Sequence, residues 1–278
     1  PWPHMTSVEG AEIIGGGMEF PMITIMGSYN RSGPRALYNV TAHEIAHMWI
    51  PMIVSTNERR HAWIDEGATT YHEALARWDR YPDSFNRLEE FERYLGYAGT
   101  AFEGEIMRWS DYHYPGPSYV IASYPKPGSV LIALKGVLGE ETFTKAWQEF
   151  IQRWAYKHPT PYDMFNTFED ISGKDLDWFW RAWYFETWTL DQAVAKVEQD
   201  GNVATITVED LGEVPMPVDL TITYADGSEI EKRIAVDDWL SGKRTTSLTY
   251  KTEKTISRVE IDADQSYPDM QRHNKDRK

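Results

Sequence analysis

Apolar residues recur with helical spacing through most of the first 190 residues. Before the helices, the first 35 residues have an extended pattern in which Ile23–Met26 is typical of a buried strand. The helical pattern predicts helices at about 37–54, 63–79, 84–96, 118–137, 140–156 and 174–187.

Beyond residue 190 the pattern changes to short runs in which apolar and polar residues alternate, as in Val218–Tyr224. Alternation of this kind, interrupted by turn residues, indicates an antiparallel β-sandwich over 191–265. Residues 266–278 are predicted to form a polar tail, and we expect 271–278 to be frayed. The chain is therefore predicted to be an α+β protein, with a mainly helical domain over 1–190 followed by a small β-sandwich domain.

The composition narrows the classes of function. The 278 residues carry 28 Lys and Arg against 43 Asp and Glu, a net charge of −15, which disfavours nucleic acid and anionic lipid as partners. No apolar run reaches the roughly 18 residues that a membrane span needs. Cysteine is absent, which excludes thiol nucleophiles, disulfides and thiolate metal sites. The first residue is Pro1, so we expect a processed or excised piece of a longer protein, and we favour a soluble, extracytoplasmic location.

Residues 43–47 read HEIAH, an HExxH motif in the first predicted helix. The spacing of four places the imidazoles of His43 and His47 on one helix face, where both can bind one ion. Glu66 follows after eighteen intervening residues, enough for a loop and a returning helix, and completes a set of two histidines and one carboxylate. Such a set is typical of catalytic zinc, so the sequence predicts one Zn²⁺ per chain with Glu44 beside it as the general base.

Four segments resemble the aminopeptidase N (membrane alanyl aminopeptidase) family of gluzincins. Residues 63–71, WIDEGATTY, are similar to the family's WLNEG segment, and 16–20, GGMEF, resemble its GxMEN exopeptidase motif. Further along, 124–128, YPKPG, resemble the YxKG segment, and 138–143, LGEETF, the LG…F signature. The resemblance covers about residues 10–190 and implies a thermolysin-like catalytic domain. It also implies that the β-rich domain which normally precedes this one is missing here or is supplied by a partner chain.

The same resemblance implies how a substrate is bound. The carboxylate of Glu19 would pair with the free α-ammonium group of a peptide. Gly16 and Gly17 would admit the substrate backbone, and Met18 would line the pocket for the first side chain. The family has asparagine where this chain has Phe20, which keeps the carboxylate but changes one polar contact.

Two further side chains are expected near the reacting carbonyl. Tyr124 would donate a hydrogen bond to the developing oxyanion, and Tyr119, five residues earlier, is the alternative. Glu73 lies seven residues after Glu66, on the same helix face, and would accept a proton from the outer nitrogen of a zinc-bound histidine.

These residues predict zinc-dependent hydrolysis of the N-terminal peptide bond of peptides that have a free N-terminus. A thermolysin-like zinc endopeptidase is one alternative, in which the zinc core acts without the exopeptidase restriction. An inert, peptide-binding fragment is the other.

Overall fold

The computed structural model describes residues 2–10, 12, 14–29, 32–82 and 88–277. Residues 84–87 of the predicted helix 84–96, and the last residue of the predicted tail, lie outside these ranges.

A small mixed sheet opens the chain. Strand β1 (Thr6–Glu9) pairs in parallel with β3 (Ile23–Met26), and β3 pairs antiparallel with β2 (Gly17–Phe20). The register places Glu19 opposite Thr24. The central position of β3 fixes where the 16–20 segment stands relative to the first helix, because α1 contacts both β2 and β3.

The helical part follows, and its core is rich in aromatic side chains. Trp183, Phe179 and Phe168 are among its fully buried members. The helices are α1 Pro34–Ala46, α2 Glu58–Ala62, α3 Ala68–Arg80, α4 Leu88–Leu95, α5 Ser118–Ser123, α6 Pro125–Leu138, α7 Glu140–Trp154, α8 Pro161–Ser172 and α9 Asp177–Tyr184.

Two predicted helices differ from the observed ones in ways that matter for the site, and one observed helix is not predicted. The predicted helix 37–54 ends early, because α1 stops at Ala46 and residues 47–53 form turns. The predicted helix 118–137 is divided into α5 and α6 at Tyr124 (φ −111°, ψ −82°). Helix α8 is not predicted at all, although Thr160 and Asp163 form a reciprocal capping box at its start.

The rest of the chain forms two antiparallel sheets. The apolar side chains of β5 and β6 alternate with partly exposed ones, and both strands contribute to one shared core that includes Ile206 and Ile222. The α+β class is therefore confirmed. The strands are β4 Gln192–Asp200, β5 Val203–Asp210, β6 Val218–Tyr224, β7 Glu229–Ile234, β8 Thr245–Lys251, β9 Ile256–Ile261 and β10 Asp276–Arg277, with the short helix α10 Asp237–Leu240 between β7 and β8.

The end of the chain is not frayed: it is paired with the rest of the protein up to Arg277. Strand β10 pairs with β9, and the side chains of Tyr267, Asp269 and Lys275 are buried. Polar composition alone suggested a solvated tail, but here the polar groups find ion partners in the body of the protein. Among the described residues, no helix combines the length and apolar character needed to cross a membrane.

Candidate active site

Helix α1 carries the HExxH motif into the interior. Gly33, at φ 89°, precedes the helix, and Pro34 fits its first turn because that position needs no N–H donor. The helix contacts α3 on one side and the small sheet on another. His43 and His47 are separated by about one turn, and their rings lie 4.9 Å apart between centroids.

The third candidate ligand comes from an unusual turn. Residues Trp63–Gly67 form one turn of π-helix between α2 and α3, the kind of wider turn often found at functional sites. It brings Asp65 and Glu66 to the face of α1 that carries the two histidines. Gly67 permits the turn to lie close to α6, since a Cβ there would stand 2.6 Å from Cβ of Pro127.

The two histidines and Glu66 converge on one point. Oε2 of Glu66 lies 3.2 Å from Nε2 of His43 and 3.4 Å from Nε2 of His47. Ligands at about 2.0–2.1 Å from a tetrahedral metal are separated by about 3.3 Å, so the observed spacing fits a tetrahedral metal ion. The neutral nitrogen and carboxylate donors also suit zinc, and the residues present therefore fit the expected metal.

Carboxylates hold the outer nitrogens of both histidines. Oε2 of Glu73 lies 3.2 Å from Nδ1 of His43, and Oδ1 of Asp65 lies 2.7 Å from Nδ1 of His47. Thr69 Oγ1 is also 3.1 Å from Nδ1 of His47. Partners of this kind keep the proton on Nδ1, which leaves each Nε2 lone pair free for a metal.

Glu44 is buried beside this set, with 4% of its surface exposed. Thr24 Oγ1 donates a hydrogen bond of 3.4 Å to its Oε2. On the other side its carboxylate lies against Gly17, where an added Cβ would stand only 2.0 Å from Oε1 of Glu44. Glycine at position 17 therefore makes room for this carboxylate.

Strand β2 places Glu19 in the same cavity. Side chains alternate between the two faces of a strand, so Gly17 and Glu19 share one face and Met18 and Phe20 lie on the other. Glu19 is 8% exposed and has no hydrogen bond or ion pair with any described residue. Gly16, at φ 87°, lines the cavity, whereas Met18 does not, and the predicted role of Met18 stays a prediction.

Tyr124 reaches the site because the chain breaks between α5 and α6 at this residue. Its hydroxyl donates a hydrogen bond of 2.7 Å to Oε1 of Glu66. Tyr119 instead packs against His113, with ring centroids 6.2 Å apart. Of the two tyrosines considered from the sequence, Tyr124 is the one in contact with a candidate ligand.

Burial is the largest influence on the pKa values of these side chains. It raises the pKa of Glu44 to about 7, against the opposing charges of His43 and His47. Burial by itself lowers the pKa of His43, but its hydrogen bonds to Glu66 and Glu73 outweigh this effect and raise the pKa to about 9. Burial by itself raises the pKa of Glu66, but hydrogen bonds from His43 and His47 outweigh this effect and lower the pKa to about 2. Glu66 is therefore ionised, as a carboxylate ligand must be.

The sequence of this chain matches a known protein family over most of its length. Residues 1–183 match the sequence profile of the peptidase family M1 domain. The chain belongs to peptidase family M1. The resemblance to aminopeptidases is thereby confirmed, and the match covers the metal-site residues, α1 to α8 and most of α9.

Curated relatives of this M1 chain include aminopeptidases. It is 26% identical over 209 residues to leucine aminopeptidase 2-1 of Meyerozyma guilliermondii, covering 69% of this chain and 32% of the relative. It is 25% identical over 277 residues to tricorn protease-interacting factor F2 of Thermoplasma volcanium, covering 90% of this chain and 34% of the relative. The chain thus spans about a third of the length of either relative.

A solved aminopeptidase structure has a similar fold. Aminopeptidase A of Legionella pneumophila, in complex with aspartic acid, superposes with a TM-score of 0.70 at 17% identity. The superposition covers 95% of this chain and 31% of that protein, so it includes the two β-sheets as well as the helices.

Sequence reasoning about this M1 chain missed two contacts. The contact of Asp65 with His47 is not predicted, although a second carboxylate beside a ligand is a signal for a histidine partner. Thr24, which holds Glu44, was seen only as part of a strand. Its contact with Glu44 depends on the register of β2 and β3, which the alternation pattern does not give.

Proposed function

We propose that this chain is the catalytic part of a zinc aminopeptidase with a thermolysin-like arrangement of its metal site. It would hydrolyse the N-terminal peptide bond of peptides with a free N-terminus. The observation that carries the proposal is the convergence of His43, His47 and Glu66 on one point, with Glu44 and Glu19 facing the same cavity.

The metal would be held by Nε2 of His43, Nε2 of His47 and Oε2 of Glu66. When bound, zinc supplies a Lewis acid that polarises the substrate carbonyl and makes water a stronger nucleophile at neutral pH. Glu73 and Asp65 would orient the two imidazoles through their Nδ1 atoms.

The proton transfer is assigned to Glu44. Its carboxylate would accept a proton from the attacking water and deliver it to the nitrogen of the departing amine. The contacts with Thr24 and Gly17 fix the carboxylate in one position, which favours transfer over a short distance.

The substrate is oriented by charge at one end and by a hydroxyl at the reacting carbon. Glu19 is buried and has no partner among the residues that the structure describes, so an α-ammonium group would satisfy it. The hydroxyl of Tyr124 is hydrogen-bonded to Glu66 in this structure. In the reaction it would donate a hydrogen bond to the substrate carbonyl oxygen as that oxygen gains negative charge.

The test is cleavage of paired peptides that differ only in N-terminal acetylation, with zinc content measured on the same preparation. A charge-assisted contact of about 2–4 kcal/mol predicts a preference for the free peptide of at least about 10²-fold. Glu19→Ala should lose most of this preference. Glu231→Ala, an exposed strand glutamate, is the matched control and should keep it.

The alternatives give different results in the same assay. Zinc-dependent cleavage with a ratio near one in the parent protein would identify an endopeptidase. Zinc binding without cleavage of either peptide would identify an inert, peptide-binding fragment and would contradict the proposal.

A further inference from the structure

The cavity over the metal site extends along α1. Ala36, Asn39 and Val40 line it together with His43 and His47, because these positions share one face of the helix. Ala36 is seven residues from His43, which is about 10 Å along the axis and equals the length of about three extended residues. The cavity therefore has room for a short peptide on the side away from His47.

The charges at the two ends of this cavity are opposite. Glu19 lies at the His47 end, since its carboxylate is within 4.8 Å of the ligand atoms of His47 and Asp65. Helix α4 lies at the other end, because Arg35 in the first turn of α1 forms an ion pair of 2.9 Å with Glu89. Arg93 is one turn along α4 from Glu89.

Arg93 lines the cavity and is the one arginine or lysine among its described lining residues. It is exposed and has no ion pair or hydrogen bond with any described residue. The two glutamates one turn before Arg93 on α4 have other partners: Glu89 pairs with Arg35, and Glu90 pairs with Arg77. No acidic side chain of this group is left to neutralise Arg93.

We propose that Arg93 binds a carboxylate of the substrate on the leaving-group side of the scissile bond. This inference rests on the proposed function, since Glu19 must hold the N-terminus for the rest of the peptide to point toward α4. A guanidinium group matches a carboxylate with two parallel hydrogen bonds. The carboxylate is either the C-terminus of a short peptide or an acidic side chain near the cleaved bond.

The experiment measures equilibrium binding, so that it does not depend on turnover. Zinc-loaded Glu44→Gln protein is titrated by calorimetry with leucyl-alanyl-alanine, with its C-terminal amide, and with leucyl-aspartyl-alanine amide. A peptide with a carboxylate should bind about 2–5-fold more tightly than the uncharged amide, which corresponds to about 0.4–1 kcal/mol for an exposed ion pair.

Arg93→Gln in the same background should bring the ratio to about one. Lys145→Gln, which removes an exposed helical charge outside the cavity, is the control and should leave the ratio unchanged. The peptide that shows the preference identifies the source of the carboxylate.

Two results would overturn the inference while leaving the proposed function intact. One is equal binding of all three peptides to the protein with Arg93. The other is a preference for the carboxylate that persists in Arg93→Gln. Absence of binding by any of the peptides to zinc-loaded protein would contradict the proposed function itself, and the acetylation assay would then show no cleavage.

Discussion

Two groups of buried and half-buried charged side chains lie in different halves of the chain and are built differently. The metal-site cluster consists of Glu19, His43, Glu44, His47, Asp65, Glu66 and Glu73. The Asp262 cluster consists of Asp262, Asp269, Arg272 and Lys275, where the end of the chain returns to the β-sheets.

The Asp262 cluster is balanced within itself. Lys275 Nζ lies 3.3 Å from carboxylate oxygens of both Asp262 and Asp269, and Arg272 adds a second cation at 3.5 Å. Backbone N–H groups also donate hydrogen bonds to these carboxylates: that of Ser266 donates to Asp262 at 2.6 Å, and that of Gln192 donates to Asp269 at 3.0 Å. Nothing further is required to neutralise this group.

The metal-site cluster is not balanced. Five carboxylates surround two imidazoles. The nearest guanidinium group is that of Arg77, and Glu73, at 3.9 Å, is the one member of this cluster with which it forms an ion pair. Buried charges without partners are costly, so a surplus of this kind is kept for a ligand. Internal compensation is expected of a structural group, whereas a surplus of negative charge is what the proposed metal ion and the proposed α-ammonium group would neutralise.

The largest expected effect comes from Glu44, the proposed general base. Glu44→Gln keeps the size of the side chain and the hydrogen bond from Thr24 but removes the basic group. Turnover should fall by about 10²–10⁴ while zinc content stays at about one per chain. The free energy of unfolding should not decrease, since a surplus carboxylate has been removed. A zinc-loaded variant with full activity would show that another group carries the proton.

The reverse is expected in the Asp262 cluster. Asp262→Asn leaves Lys275 and Arg272 with one carboxylate between them, and the free energy of unfolding should fall by about 3 kcal/mol. Zinc content and activity per folded molecule should not change. Denaturant titration of the variant is compared with Asp200→Asn, an exposed aspartate at the end of β4, which should unfold like the parent. Equal stability of all three proteins would contradict the structural role.

The position of Glu44 can be tested without changing any charge. A methyl group at Gly17 would occupy the place of the Glu44 carboxylate, so Gly17→Ala must displace that side chain. A displacement of about 1 Å at a catalytic group lowers turnover by about 10²-fold, and only a side chain has to move, so stability should be nearly unchanged. Gly15→Ala is the matched control, because no atom lies within 4 Å of a Cβ there. Equal losses in both variants would place the effect in the loop backbone.

The two clusters also differ in how far the sequence predicts them. The HExxH spacing predicts that His43 and His47 share one face of α1, because helix periodicity brings them there. The interval to Glu66 leaves room for a returning segment, but the π-helical turn that carries Glu66 back to α1 could not be predicted from it. Glu73 follows from the same periodicity. The Asp262 cluster could not be predicted, since its members meet only through the return of the chain beside β9. A polar segment gives no sign of which buried partner it will find, and for this reason the tail was expected to be solvated.

The smallest effect, and the one that separates the two kinds of cluster most directly, is expected at Glu73. Its carboxylate lies 3.2 Å from Nδ1 of His43, and Glu73→Gln keeps an acceptor of the same size without the charge. Loss of such a partner weakens zinc binding by about 10–100-fold, because the imidazole becomes a poorer donor and is less firmly oriented. Unfolding of the metal-free protein should not become easier, since the site holds more carboxylates than cations. Competition with a chelator measures the first quantity and denaturant titration the second, with Glu141→Gln, an exposed glutamate of α7, as the control for both. Unchanged zinc affinity together with a loss of about 1 kcal/mol or more in stability would place Glu73 with Asp262, as a structural charge, and would leave Nδ1 of His43 to be oriented by other means.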